Sequence, residues 1–294
     1  MIRPPDLNAG SLNQFSIRQM YLDLLKACLC GSHFEESSWK PTEIPNLTLT
    51  ELFRNPTASL KNWCLGQLMK WTVDGPLIVY TRLPYDREAR EEGRDWPNLA
   101  FTMIGFRRIE NIQFCVDDVI CRKVPGDLIE TGVWRGGAAI FMRALLKVHN
   151  VTDRSVWLAD SFEGLPKPLD EADGWDLSDC QYLKVSLDQV MKNFEQFGLL
   201  DDQVKFIKGW FHQTLPVAPV NQIAVLRMDG DLYSSTIDTL RYLYDKISPG
   251  GYCIVDDYFS WPSCHRAVHD FLKEKNIFPE IRRIDTEGAF WQVT

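Results

Sequence analysis

The sequence predicts an α/β fold in which helices cover both faces of a doubly wound, mostly parallel sheet. From residue 126 onward, short apolar segments alternate with helical segments of about a dozen residues, a pattern typical of βαβ units. Near the C-terminus two short apolar segments flank Glu287-Gly288, which predicts an antiparallel hairpin at the sheet edge. We expect an N-terminal helical extension, a helical lead-in and an α/β domain, at residues 1–75, 76–125 and 126–294.

The N-terminal part of the chain carries amphipathic helical patterns. Residues 1–15 are polar and contain proline, so we expect little order there. Ser16 is a suitable N-cap for a helix that ends before Gly31. The other predicted segments are a second amphipathic helix at 58–72, a solvated charged loop at 87–95, and one or two helices between 103 and 124.

In the α/β domain the lengths of the apolar and amphipathic segments distinguish strands from helices. Apolar segments predict parallel strands at 127–131, 155–159, 204–207, 223–228 and 252–255. Amphipathic segments predict helices at 137–148, 187–197, 235–247 and 263–275, and the hairpin strands are expected at 280–285 and 289–293. Ligands of such sheets bind at the carboxyl ends of the parallel strands.

Charge and cysteine content narrow the class of protein. The chain of 294 residues has a net charge of -8, so it lacks the basic excess that binds nucleic acid or an anionic membrane surface. No segment approaches the roughly 18 apolar residues of a membrane span, and the first residues lack a secretory signal. Eight scattered cysteines without zinc-ligand spacing are expected to be core thiols in a reducing cytoplasm.

Two acidic clusters follow two predicted strands at the carboxyl edge of the sheet. Asp229 and Asp231 lie after the fourth strand, and Asp256 and Asp257 end the fifth. Converging carboxylates repel one another unless a cation neutralises them, and oxygen ligands suit Mg²⁺, Ca²⁺ or Mn²⁺. We predict that Asp229, Asp256 and Asp257 hold a divalent ion that binds an acceptor hydroxyl, and that Asp231 is the general base. The alternative for Asp-Gly-Asp is a turn with a capping aspartate.

A glycine-containing turn follows the first predicted strand, in Glu130-Thr131-Gly132-Val133-Trp134-Arg135-Gly136-Gly137. The glycines let a ligand approach the backbone at the N-terminus of the next helix. The turn lacks the Lys-Ser/Thr of a phosphate-binding P-loop. Glu130 suits an ammonium group, as on S-adenosylmethionine, better than a pyrophosphate. Tight packing of the helix against the strand would explain the glycines equally well.

Two further strand ends carry candidate ligand-binding residues. Asp160 and Ser161 follow the second strand, where a carboxylate can accept hydrogen bonds from ribose hydroxyls; a helix N-cap is the alternative. Gly209-Trp210-Phe211 follows the third strand, and its aromatic rings suit either an adenine pocket or the core. His212 comes next and could contact a ligand there.

Five segments, in order, resemble the macrocin O-methyltransferase family, and the likeness extends over about residues 80–294. The segments are GDLIETGVWRGG at 126–137, DSF at 160–162, GWF at 209–211, LRMDGDLY at 226–233 and VDDY at 255–258. The resemblance implies a Rossmann-like class I methyltransferase that uses S-adenosylmethionine and Mg²⁺, with Mn²⁺ as a substitute. Members methylate sugar hydroxyls of antibiotics such as tylosin, mycinamicin and novobiocin, which implies a small-molecule glycoside acceptor.

The resemblance also implies roles for individual residues. Asp229, Asp256 and Asp257 match metal ligands, and Asp231 matches the general base. The residues expected to contact the cofactor are Glu130, Thr131, Gly132, Gly136, Asp160, Ser161, Gly209 and Trp210.

Two segments depart from the family pattern. The segment 167–185 carries Asp170, Glu171, Asp173, Asp176 and Asp179 where the family has a basic, methionine-bearing stretch over the acceptor. An acceptor with a cationic or amino-sugar group would suit such a loop. Residues 1–75 are longer than the family needs, and their helices are expected to form a homo-oligomer interface or a cover over the pocket.

Other functions remain as alternatives. A metal that binds two vicinal oxygens also serves catechols and other phenolic diols, and a flat aromatic pocket over the metal would favour them. A non-catalytic scaffold subunit has no need of four converging carboxylates. A nicotinamide dehydrogenase is the weakest alternative, because the glycine fingerprint is incomplete and no Tyr-x-x-x-Lys pair stands at the expected place.

Overall fold

Strands and helices alternate through the residues that the computed structural model describes, which are 9–35, 37–43, 78–174 and 176–294. The strands are β1 (Ser38–Glu43), β2 (Ile78–Leu83), β3 (Trp96–Pro97), β4 (Asp127–Thr131), β5 (Val156–Asp160), β6 (Val204–Lys208), β7 (Ile223–Met228), β8 (Ile247–Val255), β9 (Arg282–Arg283) and β10 (Ala289–Gln292). The helices are α1 (Ala9–Leu29), α2 (Arg87–Glu92), α3 (Gly105–Cys121), α4 (Gly137–Val148), α5 (Leu187–Gln196), α6 (Phe211–Thr214), α7 (Tyr233–Leu243) and α8 (Pro262–Lys275).

A seven-stranded sheet in the order β6-β5-β4-β7-β8-β10-β9 confirms the predicted doubly wound α/β fold. The strands from β6 to β8 pair in parallel, whereas β10 runs antiparallel to both β8 and β9. The chain builds outward from β4 to β6 and then returns to place β7 on the other side of β4. A crevice for ligands opens at such a reversal, so the ends of β4 and β7 mark the expected site.

The register of the parallel strands aligns their carboxyl ends. Thr131 at the end of β4 is opposite Ala159 of β5 and Met228 of β7, and Met228 is opposite Val255 of β8. At this edge Gly132, Asp229 and Asp256 directly follow their strands, and Asp160 is the last residue of β5.

Side chains alternate across the sheet and fill two apolar layers. On β4, Leu128 belongs to the layer that includes α3 and α4, whereas Ile129 belongs to the layer that includes α7 and α8. All six residues of β7 are buried, as expected for a central strand that is covered on both faces. This packing holds the strand ends rigidly at the edge where the ligand site is expected.

The N-terminal helix begins earlier than predicted. α1 runs from Ala9 to Leu29, so Ser16 lies inside the helix instead of capping it, and the preceding residues are helical although little order was expected. In the sequence, Leu12 and Phe15 lie ten and seven positions before the buried Leu22, which is the spacing of one helix face. This apolar spacing indicated the helix, whereas the prediction relied on the polar residues between them. Residues 1–8 and the helix predicted at 58–72 lie outside the described residues.

The charged run at 87–95 is a short helix and a turn, so the prediction of a solvated loop was wrong. Asp86 caps α2 by accepting a hydrogen bond from the amide of Ala89 at 3.1 Å. Arg90 and Asp95 form a buried ion pair, with Nη2 and Oδ2 2.8 Å apart. Because oppositely charged residues of this run form an ion pair, part of the run is buried. The density of charges in the sequence does not predict such pairing.

A second sheet, antiparallel and in the order β2-β1-β3, was not among the predicted elements. In the α/β domain, β4, β7 and α4 have the predicted bounds. The largest difference is at β8, which begins at Ile247 instead of 252, because the irregular stretch around Gly250 still pairs with β7 across a shift of register. α7 accordingly ends at Leu243 instead of 247.

The sequence also predicted that the cysteines are core thiols and that no segment is long and apolar enough to span a membrane. In the described part of the chain, Cys28, Cys30, Cys115, Cys121, Cys253 and Cys264 are free thiols, and four of these six are buried. Within those same residues, no helix has the length and apolar character needed to cross a bilayer.

Candidate functional site

The turn after β4 brings the backbones of β4 and β7 into close contact. Gly132 has a φ of +85°, and a Cβ atom here would lie 1.6 Å from the carbonyl oxygen of Asp229. No residue with a side chain fits that space, and glycine alone adopts this φ without strain. The amide of Asp229 donates to the carbonyl of Thr131 at 2.8 Å, so the two strand ends are held together.

A cavity of about 410 Å³ opens at this edge of the sheet. Its volume is in the range of small-molecule sites. Leu165, Leu169 and Phe211 form much of its apolar wall, and His212 lies on its rim. Four residues predicted to contact the cofactor line it, namely Gly132, Asp160, Ser161 and Trp210.

Asp160 connects the end of β5 to the glycine turn. Its carboxylate accepts hydrogen bonds from the amides of Val133, at 2.7 Å, and Phe162, at 2.6 Å. Burial raises the pKa of Asp160, and the hydrogen bonds from these amides oppose that rise. Each carboxylate oxygen can accept more than one hydrogen bond, so binding of ribose hydroxyls by Asp160 stays a prediction.

The other residues predicted to contact the cofactor do not line this cavity. Glu130 is buried beneath the turn and pairs with Arg227 at 2.6 Å; burial raises the pKa of Glu130 to about 8, and Arg227 opposes the rise. Thr131 is also buried. A Cβ atom on Gly136 would meet Val190, and one on Gly209 would meet Thr214, so these glycines serve close packing.

Three of the four predicted acidic residues converge beside the cavity. Asp229, Asp231 and Asp257 each offer a carboxylate oxygen within 4.8 Å of the others, and we call these three residues the acid cluster. Asp231 has a φ of +54°, a left-handed conformation that aspartate tolerates better than most residues. Its amide donates to Oδ2 of Asp257 at 3.3 Å, which joins the loop after β7 to the end of β8.

Asp256 lies outside the acid cluster, between two arginines. It forms ion pairs with Arg108 and with Arg227, the latter at 2.5 Å, and its side chain is buried. The sequence predicted Asp256 as an ion ligand and Asp231 as the base, whereas here Asp256 faces two arginines and Asp231 faces Asp229 and Asp257. This difference arises because the arginines satisfy Asp256, while the left-handed turn directs Asp231 inward. The roles of both residues towards an ion stay predictions.

The acid cluster carries carboxyl groups that are poorly satisfied as anions. Burial raises the pKa of Asp231 to about 8, with further contributions from Asp229 and Asp256. Burial and then Asp256 raise the pKa of Asp229 to about 6, although Arg227 opposes the rise. Burial and the neighbouring carboxylates raise the pKa of Asp257 as well. A divalent cation among these oxygens would remove the repulsion, and an all-carboxylate set is one that Mg²⁺ or Mn²⁺ accepts.

The acidic segment 167–185 docks beside the site. Asp173 is buried, and its carboxylate accepts from the amide of Tyr233 at 2.7 Å, where it caps the N-terminus of α7. Asp170 forms an ion pair with Arg266 of α8. Leu169, 85% exposed, stands at the mouth of the cavity. Two of the five acidic side chains therefore fix the loop to the domain.

Sequence reasoning missed Arg108 and Arg227, which organise the carboxylates. Arg227 is 1% exposed and bonds to Glu130, Asp229 and Asp256. A signal was available for Arg227, because it is a single charge inside the apolar strand Ile223–Met228. The sequence carries no such signal for Arg108, since two other charged residues, Arg107 and Glu110, stand beside it in α3.

Comparisons with known proteins identify the family of the chain. The sequence profile described as Macrocin-O-methyltransferase (TylF) matches residues 18–293. Over 215 residues, 71% of this chain and 82% of the relative, the chain is 53% identical to demethyldecarbamoylnovobiocin O-methyltransferase of Streptomyces niveus. Over 228 residues, 75% of this chain and 87% of the relative, it is 49% identical to 8-demethyl-8-(2,3-dimethoxy-alpha-L-rhamnosyl)-tetracenomycin-C 4'-O-methyltransferase of Streptomyces olivaceus.

A solved structure extends the likeness to the fold. The O-methyltransferase NovP superposes with a TM-score of 0.77 at 43% identity, covering 94% of this chain and 99% of that one. The fold is thus shared with an O-methyltransferase of known structure. Because the family profile matches from residue 18 onward, the expectation that residues 1–75 are longer than the family needs was wrong for all but the first 17 residues.

Proposed function

Because the chain belongs to the macrocin O-methyltransferase family, we propose that it methylates a sugar hydroxyl of a glycosylated natural product. The chain is an O-methyltransferase. The name of the Streptomyces olivaceus relative states a rhamnosyl group, which supports a sugar acceptor here as well. The observation that carries the proposal is that Asp229 belongs to both the cavity and the acid cluster, so donor and acceptor sites adjoin.

The cavity is proposed to hold S-adenosylmethionine, which supplies the methyl group from its sulfonium. Asp160 would receive the ribose hydroxyls, and Trp210 would pack against the adenine. Gly132 lines the cavity and lets the ends of β4 and β7 come into contact, since any side chain there would collide with the carbonyl oxygen of Asp229. With the cofactor bound, the apolar walls would displace water, which strengthens the electrostatic interactions that favour the transition state.

The acid cluster is proposed to hold a Mg²⁺ ion, which when bound polarises the acceptor hydroxyl and lowers its pKa. Asp229, Asp231 and Asp257 supply the oxygens, and Asp256 is left to the two arginines. As the methyl group passes from sulfur to oxygen, the acceptor loses its proton. Asp231, whose carboxylate lies beside those of Asp229 and Asp257, would accept that proton.

The acceptor is proposed to carry a neutral sugar at the methylated position. The acidic segment 167–185 suggested an acceptor with a cationic group. Three of its carboxylates already have partners within the protein, which weakens the argument for a cationic acceptor. Asp170 and Asp173 are bound to Arg266 and to backbone amides, and Asp179 lies 3.6 Å from Lys184.

A labelled methyl-transfer assay tests the acceptor class. The enzyme would be given S-adenosylmethionine labelled in the methyl group, with Mg²⁺ and matched pairs of glycosides and their aglycones. We expect label on the glycosides and none on the aglycones or on simple catechols. Label on the phenolic hydroxyls of catechols, with none on sugars, would contradict the proposal and favour methylation of phenolic diols.

An apolar stripe on α1 supports a proposed homo-oligomer. Ile17, Met20, Tyr21 and Leu24 follow the i, i+3, i+4, i+7 spacing of one helix face, and all four are exposed in the single chain. Met20→Glu together with Leu24→Glu is expected to shift the mass measured by light scattering towards that of one chain. Gln19→Glu, on the opposite side of the helix, is the control. A wild-type mass equal to one chain would contradict the proposal.

A further inference from the structure

We propose that His265 and His269, on the solvent side of α8, form a second ion site that takes a transition metal such as Zn²⁺ or Ni²⁺. We call these two residues the histidine pair. Imidazole nitrogens favour Zn²⁺, Ni²⁺ and Cu²⁺, whereas carboxylate oxygens such as those of the acid cluster favour Mg²⁺, Ca²⁺ and Mn²⁺. Ion binding by the histidine pair is thus independent of the methyl-transfer function.

The spacing of the histidine pair suits the chelation of one ion. The two residues are four positions apart in the helix Pro262–Lys275, so their side chains leave the same face about one turn apart. Both are exposed, and their ring centroids lie 4.3 Å apart with an angle of 33° between the ring planes. Two histidines at this spacing on a helix are also the zinc ligands of many metalloproteases. A rotation of the exposed side chains is enough to bring a nitrogen of each ring to the same ion.

Tyr258 fixes the orientation of one of the two rings. Its hydroxyl oxygen lies 2.7 Å from Nε2 of His269, and Tyr258 itself is buried, with 6% of its surface exposed. Its ring also packs against that of His265, with 4.8 Å between the centroids. Histidines that bind metals usually form a hydrogen bond through their other ring nitrogen, and this bond holds the ring in place. The hydroxyl of Tyr258 provides such a partner and leaves Nδ1 of His269 as the ligand atom.

The surroundings of His265 favour the form of imidazole that binds metals. Burial, and after it the neighbouring His269, lower the pKa of His265. An ion needs the free lone pair of a neutral imidazole, so the lower pKa reduces the competition from protons. Two protonated rings at this distance would also repel each other, whereas a shared ion places one charge between them.

Water completes the coordination of an ion bound to the histidine pair. Within the described part of the chain, the pair belongs to no group of three or more histidine, cysteine or acidic side chains that could share an ion. Structural zinc sites have four protein ligands, and sites with fewer keep positions open for water. We therefore expect reversible binding that is weaker than that of a structural zinc site.

Calorimetric titration with Ni²⁺ tests the inference on the full chain, prepared without a histidine tag and kept in excess Mg²⁺. The Mg²⁺ competes for carboxylate oxygens and leaves imidazole nitrogens free. We expect a Ni²⁺ site that requires both histidines. His265→Gln and His269→Gln should each weaken Ni²⁺ binding by at least about tenfold, since each removes one of two ligands. Tyr258→Phe, which removes the hydroxyl that orients His269, should weaken it by about tenfold.

Two control variants separate chelation by a pair from general binding by surface histidines. His149→Gln alters another partly exposed histidine, whose Nε2 lies 2.7 Å from Asp117, and should leave Ni²⁺ affinity unchanged. The second control adds Asp270→His to His269→Gln. The chain then has its original number of histidines, but the two on α8 are five positions apart and lie on different sides of the helix. The affinity that His269→Gln removes should not return.

The histidine pair is exposed, so neither glutamine substitution disturbs the core, and thermal unfolding would check that each variant is folded. Unchanged Ni²⁺ affinity in His265→Gln and His269→Gln would overturn the inference. Recovery of the affinity through Asp270→His would overturn it as well, because spacing would then not matter. An unaltered chain that takes up no Ni²⁺ in excess Mg²⁺ would have the same consequence.

Discussion

Asp257→Asn is expected to lower metal-dependent methyl transfer by about 10³-fold, which corresponds to about 4 kcal/mol of transition-state stabilisation. Asp257 is the most buried member of the acid cluster, and its carboxylate accepts a hydrogen bond from the amide of Asp231. An asparagine keeps the size of the side chain but removes one of the charges that hold the ion. Steady-state rates across a Mg²⁺ titration would measure the loss.

Asp256→Asn is the matched comparison for Asp257→Asn, since it alters the adjacent acid by the same change. We expect Asp256→Asn to retain Mg²⁺-dependent turnover with a loss nearer tenfold, because Asp256 faces Arg108 and Arg227 instead of the acid cluster. S-adenosylhomocysteine affinity should be unchanged in both variants. Equal losses in the two variants, or full activity of the unaltered enzyme in EDTA, would contradict this account.

Asp231→Asn is expected to lower kcat by about 10²- to 10⁴-fold, the usual contribution of a general base. Burial, and after it the carboxylates of Asp229 and Asp256, raise the pKa of Asp231 to about 8. An asparagine cannot accept the proton that the acceptor hydroxyl loses. The loss should be largest in kcat, with S-adenosylmethionine affinity preserved.

The pH profile gives Asp231→Asn a second readout. In the unaltered enzyme, a bound ion displaces the proton of Asp231, so Mn²⁺ affinity should rise as the pH increases towards about 8. That rise should be weaker in Asp231→Asn, because one of the groups that must lose a proton is gone. A wild-type rate in this variant would remove Asp231 as the base, and an unchanged pH dependence would remove it from the acid cluster.

Much of the α/β domain could be predicted because its strands are apolar on both sides. The six residues Ile223–Met228 are all buried, and such runs stand out from the amphipathic helices between them. The N-terminal part was less predictable. Arg90 and Asp95 form a buried pair that resembles a solvated charge run in the sequence, and Ser16 has the chemistry of a cap although it lies inside a helix.

The sequence predicted that the acidic residues of the site lie at one edge of the sheet. It did not predict which of them face one another and which face arginines. Parallel strands bring the ends of β7 and β8 to one edge, so convergence follows from the topology. Asp256 pairs with Arg108, which lies 148 residues earlier in the chain, and Asp231 has a left-handed backbone. Neither a distant ion pair nor a single φ angle leaves a mark in local sequence.

The acidic loop shows the same limit. Five acids between residues 167 and 185 indicated a surface for a cationic acceptor. The carboxylate of Asp173 instead caps α7, and Asp170 pairs with Arg266. Composition gives the charge of a loop, whereas its partners depend on which helix ends the fold brings beside it.

A crystal structure of the enzyme with Mn²⁺ and S-adenosylhomocysteine tests the central claim most directly, through anomalous scattering at the manganese edge. The account predicts one anomalous peak per chain, within ligand distance of carboxylate oxygens of Asp229, Asp231 and Asp257, with Asp256 still bound to Arg108 and Arg227. A peak bound to Asp256 with Asp231 turned away, or no peak at this edge of the sheet, would contradict it.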